Sequence, residues 1–241
     1  MGNSFSPKFI LTCEHATNRV PEQYAHLFNG ADDILESHRG WDPGSIKIAH
    51  AINDVLLAPI FEFPFTRLLI EPNRSPHHPR LFSEFTRNLP EKEKNHLIDS
   101  FYKPYRQAVE NSVKSLLSTF QTVIHLSIHT FTPNLNGSIR NMDIGLLYDP
   151  SHPREKSFCK SWKHSLLDQN SDIRVAMNRP YKGSSDGFTT TLRKKFGTTY
   201  LGIELEVNQT YFLQGNDIES EILNTIRKSI LYVQFNESDF L

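Results

Sequence analysis

Six short apolar runs strung between stretches of helical periodicity limit this fold more than any other feature. They are Phe9–Leu11, Thr66–Glu71, Thr122–His129, Asp143–Tyr148, Ile173–Met177 and Thr199–Val207. Each is too short for a helix, and most are bounded by Pro, Gly or Asn, so they read as strands buried in a sheet. Between them, helical spacing covers Pro21–Phe28, Ser45–Leu57, 90–118, Lys156–Leu167, Phe188–Lys195 and Ile218–Phe235. Pro104 should kink or divide the long 90–118 helix. Strands alternating with helices predict a three-layer α/β fold, its central sheet mainly parallel or mixed and covered by helices on both faces. No repeat, linker or composition shift interrupts the chain, so 1–241 reads as a single domain.

Hydrophobic residues make up 38% of the 241 positions, enough for a sizeable core. The formal net charge is −1, which removes any broad electrostatic case for nucleic acid or an anionic membrane as partner. The two cysteines, Cys13 and Cys159, make neither a disulfide framework nor a CxxC zinc pair. No apolar run is long enough to span a bilayer, and the N-terminus lacks the layout of a signal peptide. A cytoplasmic protein is therefore expected. Gly2 and Ser6 fit the loose myristoylation pattern, which has little weight at that length.

Chemistry in such sheets collects at the carboxyl ends of the strands. His15 follows the first run directly, with Glu14 beside it and Asn18 three residues on, a spacing like the ligand pair HxxE with Asn in place of Glu. His129 ends the third run. Two imidazoles from different strand ends, with an oxygen donor nearby, suit zinc. Glu204 and Glu206, at i and i+2 on one strand, share a face. A carboxylate in an apolar strand needs either an arginine partner or work as a general base. Asn73, Arg74 and Arg140 are candidates to grip a substrate carboxylate, since a guanidinium offers a bidentate fork.

These residues fall within six blocks: Cys13-Glu-His-Ala-Thr-Asn-Arg-Val-Pro21, His38-Arg-Gly-Trp-Asp-Pro-Gly44, Arg67-Leu-Leu-Ile-Glu-Pro-Asn-Arg74, Ser127-Ile-His-Thr-Phe-Thr-Pro133, Arg140-Asn-Met-Asp-Ile-Gly145 and Asn178-Arg-Pro-Tyr-Lys-Gly183. In this order they resemble the N-formylglutamate amidohydrolase family. The resemblance implies a phosphorylase/hydrolase-like fold akin to the zinc carboxypeptidases. It further implies metal-assisted hydrolysis of an amide in a small, carboxylate-bearing substrate such as an N-formyl or N-acyl amino acid. His15 and His129 would match the first two zinc ligands and Asn18 the third, with Glu14 and Asp42 as rival donors. Glu206 would be the base, with Glu204 as the alternative. Arg140 would share the developing oxyanion, and Asn73, Arg74, Arg140 and Tyr181 would contact substrate. Glu71 stands where the family usually has Asp, and Gln209 where Arg is common. Two other readings stand beside this one: an amidase for small peptides or cell-wall fragments, and a metal-free binding protein for an acidic metabolite.

Overall fold

The computed structural model describes residues 8–213 and 216–235; the Gly2/Ser6 pattern lies outside them. Its main sheet has six strands: β1 (Lys8–Cys13), β2 (Ile60–Glu62), β3 (Val123–Phe131), β4 (Ile144–Leu147), β5 (Val175–Met177) and β6 (Tyr200–Asn208). Their order is β2-β1-β3-β6-β4-β5. The first four run parallel, while β4 lies antiparallel to β6 and β5 parallel to β4. The sheet is therefore mixed, with helices on both sides.

The central pair, β3 and β6, divides the sheet into two unlike faces. Alternation sends Ile124, Leu126 and Ile128 of β3, and Leu201, Ile203, Leu205 and Val207 of β6, to one side. That side is closed by α1 (Ser45–Leu56), α3 (Pro153–Gln169) and α5 (Asn216–Phe235), whose Ile48, Ile52, Phe158, Trp162, Ile226 and Ile230 pack into the same core. Fully burying each such side chain contributes about 1.5–3 kcal/mol. The opposite face carries His125, Ser127 and His129 on β3 and Glu204 and Glu206 on β6. Only towards the amino ends of the strands does it become apolar, where Ile10, Val123 and Tyr200 join a second core. That core is covered by α2 (Lys103–Leu117) and α4 (Phe188–Phe196).

One expectation changes. The Thr66–Glu71 run is not a strand but a tight turn, with the Leu69 N–H donating to the Thr66 carbonyl at 3.0 Å. Thr66 Oγ1 anchors it by donating to the Gly40 carbonyl at 2.8 Å. Leu69 and Ile70 are buried as the hydropathy required, but the turn brings Arg67 into an ion pair with Glu71, residues that a strand would hold about 13 Å apart at i and i+4. The place beside β1 goes to β2, from the preceding extended segment. The long 90–118 segment is divided next to Pro104, as expected. A π-helical turn, Ile98–Tyr102, joins the helix Glu91–Leu97 to α2, and Pro104 falls in the first turn of α2. The wider turn accommodates the missing N–H and the ring. Among the described residues, no helix is long and apolar enough to cross a membrane.

Candidate metal centre

The carboxyl rim of the parallel strands gathers the reactive side chains. His15 lies two residues beyond β1, and His129 stands near the end of β3, opposite Glu206 in register. Asp42 reaches them from the loop before α1. Its N–H donates to the His15 carbonyl at 3.0 Å, so the backbone of that loop is pinned to the end of β1. Gly44 makes the turn possible. It adopts φ +87°, and a Cβ there would run into the Phe212 ring.

Three donor atoms meet at the centre of this group. His15 Nδ1 and His129 Nδ1 lie 3.0 and 2.9 Å from Asp42 Oδ2, and 3.1 Å from each other. All three residues are at most 4% exposed. Outside the trio, His15 Nε2 is 2.6 Å from Glu71 Oε1, so a proton on Nε2 leaves Nδ1 bare towards Asp42. Arg67 completes the frame, its Nε donating to Glu71 at 2.8 Å and its Nη1 lying 3.5 Å from Asp42. Lone pairs packed this closely repel unless a proton or a cation lies among them. Two imidazole nitrogens and one carboxylate oxygen, with the outer nitrogen of His15 held by a carboxylate, form a donor set that suits a divalent transition-metal ion.

The charge distribution agrees. Burial works against ionisation of Asp42, yet the charge on His15 and hydrogen bonds from His129 and His15 hold its carboxyl well below the usual range. Burial likewise opposes a charge on His129, but Asp42, Glu14 and Glu206 outweigh it and push the imidazole up to about 10. A positive charge at this point is what its surroundings favour. Glu206, 4% exposed, behaves oppositely: burial and the carboxylates of Asp42 and Glu204 push it up to about 8, against the pull of His129. Its Oε2 has no hydrogen-bond partner among the described residues. Glu204 shares its face but is engaged, accepting from Thr189 Oγ1 at 2.7 Å.

A cleft of about 340 Å³ opens over the group and is lined by Asn73, Arg74, Tyr181, Glu204 and Glu206 among others. Arg67, Arg80 and Lys182 add positive charge to its wall. The Asn73–Arg74 loop is held from behind. The buried Arg106 donates to the Pro72 and Arg74 carbonyls at 2.9 and 3.2 Å, and Asn73 Oδ1 accepts from the first N–H of α4 at 2.8 Å. Arg140 is not part of the cleft wall. It reaches the cleft through Tyr181, donating to the phenol oxygen at 3.1 Å and stacking on the ring. It stands on this rim because β4 is reversed, so the start of β4 lies where the other strands end.

The expected residues thus come together with one exception. Asn18 is half-buried in the loop after β1, is not among the cleft-lining residues, and makes no hydrogen bond to either histidine among the described residues. Asp42, one of the rival donors, occupies the position between them. Glu14 points beneath His129, its Oε2 lying 3.5 Å from Nε2. Arg67, Ser127 and Arg106 join the site without a signal in their local sequence that marks them for it. The block that contains Asp42, His38-Arg-Gly-Trp-Asp-Pro-Gly44, was visible as a motif, but nothing in its spacing ties it to His15.

Deeper in the same polar face, His125 is fully buried between Thr12 Oγ1 at 2.7 Å and the Tyr200 hydroxyl at 2.5 Å. Burial lowers its pKa from the ordinary 6.5 to about 4, with Glu14 acting against the shift. The folded form therefore favours neutral His125, and its contribution is complete above about pH 6.5. It is lost progressively as pH falls from 6.5 to 4, because the unfolded chain binds the proton first. That loss amounts to roughly 3 kcal/mol. Urea unfolding of wild type and His125→Gln at pH 7 and pH 4.5 checks this. The wild type should lose more stability on acidification than the variant, and equal losses would refute it.

The sequence profile of the N-formylglutamate amidohydrolase family matches residues 7–213. None of the curated proteins matches the chain in sequence. Among solved structures, a gene product of Agrobacterium tumefaciens is similar with a TM-score of 0.79 at 25% identity, covering 95% of this chain and 90% of that one. The N-formylglutamate amidohydrolase of Ralstonia eutropha JMP134 gives a TM-score of 0.73 at 17% identity, covering 98% and 95%. Bovine thrombin-activatable fibrinolysis inhibitor shares the fold at a TM-score of 0.50 and 11% identity, covering 98% and 83%. With the profile spanning most of its length, this chain belongs to the N-formylglutamate amidohydrolase family of hydrolases.

Proposed function

We propose that the protein is a metal-dependent amidohydrolase that cleaves the amide of an N-formyl or N-acyl amino acid such as N-formylglutamate. The observation that carries this reading is the meeting of His15 Nδ1, Asp42 Oδ2 and His129 Nδ1 at the floor of a cationic cleft that Glu206, one oxygen of which has no partner among the described residues, also lines. His15, Asp42 and His129 would hold a divalent cation, with zinc the best match to the donors. When bound, it supplies Lewis acidity to a water molecule and to the amide carbonyl.

The remaining work falls to the chain. Glu206 is the base: its Oε2 would take a proton from the attacking water and pass it to the leaving amine. A divalent charge on the facing donors would draw Glu206 back from its raised value towards the ionised form a base requires. Glu204 is the weaker candidate, since Thr189 already holds one of its oxygens. Asn73, Arg74 and Tyr181 would bind the substrate carboxylate, with Arg140 placing the Tyr181 phenol and contributing charge. The volume of the cleft suits a small molecule.

The test is turnover of a panel of formyl-, acetyl- and longer acyl-amino acids, small peptides and cell-wall fragments, with metal content measured in parallel. Chelation should abolish hydrolysis of the formyl-amino acids, and zinc or cobalt should restore it. Tight ligand binding with no turnover under any divalent metal would overturn the proposal in favour of a binding protein.

A further inference from the structure

We propose that Glu14, acting through the Ser127 hydroxyl, is a positioning residue for His129 and thereby sets the affinity of the site for its cation. This rests on the metal-centre reading above. Ser127 lies two residues before His129 on the same face of β3, and it pairs in register with Thr12 of β1. Glu14, two residues beyond Thr12, arrives beneath both. The Ser127 Oγ–H donates to Glu14 Oε2 at 2.8 Å, and the same oxygen lies 2.9 Å from His129 Nε2.

The direction of this relay matters. A carboxylate accepts only, so Ser127 must donate to Glu14 and offer its lone pair to His129. With a cation in place of the Nδ1 proton, His129 would keep its remaining proton on Nε2, leaving Nδ1 bare on the side of Asp42 and His15. Glu71 imposes the same tautomer on His15 directly. Both donor imidazoles are therefore set from behind, one by a carboxylate in contact and one by a carboxylate acting through a hydroxyl.

Of the charges around Glu14, His129 acts on it most strongly, ahead of His125. Glu14 is fully buried, its Oε1 has no hydrogen-bond partner among the described residues, and its ion pair there is with His129 Nε2 at 3.5 Å. A buried carboxylate without a lysine or arginine partner is costly unless a nearby positive charge compensates. A cation on the far side of His129 would supply that charge. Glu14 is thus a support for the site and not one of its donor atoms.

The test is binding of cobalt(II) and zinc to metal-depleted protein, by competition with a chromogenic chelator and by the visible spectrum of the cobalt form. Ser127→Ala and Glu14→Gln should each weaken binding by about 10–100-fold and shift the cobalt bands. Ser127→Thr, which keeps the hydroxyl, should restore both. Circular dichroism checks folding, and the nearly isosteric Glu14→Gln carries the test should Ser127→Ala fail to fold. Wild-type affinity and spectrum in Glu14→Gln would overturn the proposal even if His15→Ala and Asp42→Asn abolish binding. If those two variants bind metal like wild type, the metal-centre reading falls instead.

Discussion

On the proposed reading, replacing Asp42 with asparagine should abolish divalent-cation binding and lower hydrolysis of N-formyl amino acids by on the order of 10³ or more, the scale expected when a charge-stabilising group at the reacting centre is lost. Asp42 Oδ2 contacts both inner imidazole nitrogens, at 3.0 and 2.9 Å. An amide there is neutral, and turned one way it presents N–H donors to nitrogens that must stay bare. Asp42 also faces Arg67, which would keep Glu71 alone as a close partner. The measurement pairs metal content with turnover of an N-formyl amino acid. Asn18→Ala is the contrast: outside the cleft lining, it should leave both quantities unchanged. If Asp42→Asn keeps metal and rate while Asn18→Ala loses them, Asp42 has been assigned the wrong role.

Glu206→Gln should lower kcat by roughly 10²–10⁴, the usual contribution of a positioned general base, with the cation still bound and KM little changed. Glu204→Gln should cost far less, because its carboxylate already accepts from Thr189. Stability supplies an independent reading. Glu206 is buried, is pushed up to about 8, and has an oxygen with no partner among the described residues. Such a group adds little to folding, so its amide should melt at the same temperature or higher. Loss of activity without loss of stability would mark Glu206 as a group kept for chemistry. A Glu206→Gln enzyme with wild-type kcat would exclude it as the base.

Much of this molecule can be read from local pattern. In Val123–Phe131, apolar residues at 124, 126 and 128 alternate with His125, Ser127 and His129. In Tyr200–Asn208, Leu201, Ile203, Leu205 and Val207 alternate with Gly202, Glu204 and Glu206. Since side chains on a strand alternate sides, those two segments already separate a core face from a reactive one. Strand ends likewise announce His15 and His129. The resemblance carried by six ordered blocks named the family that the profile match bears out.

Other features were beyond local pattern. Hydropathy marks Leu69 and Ile70 as buried, yet whether they are buried from a strand or a turn depends on the partners of Thr66 and Glu71. The reversal of β4 leaves no mark in its four apolar residues, and it is what places Arg140 on the active rim. The donor between the histidines is the clearest case. Spacing pointed to Asn18, three residues from His15, because short-range geometry is all that spacing encodes. Asp42 is held there by a backbone bond to His15, by the turn at Gly44 and by the packing of Phe212, contacts between segments far apart in the chain. Periodicity and composition settle which residues are buried and which face is polar, because those follow from each residue's neighbours in sequence. Which carboxylate meets the two imidazoles is decided only when distant loops are packed against one another.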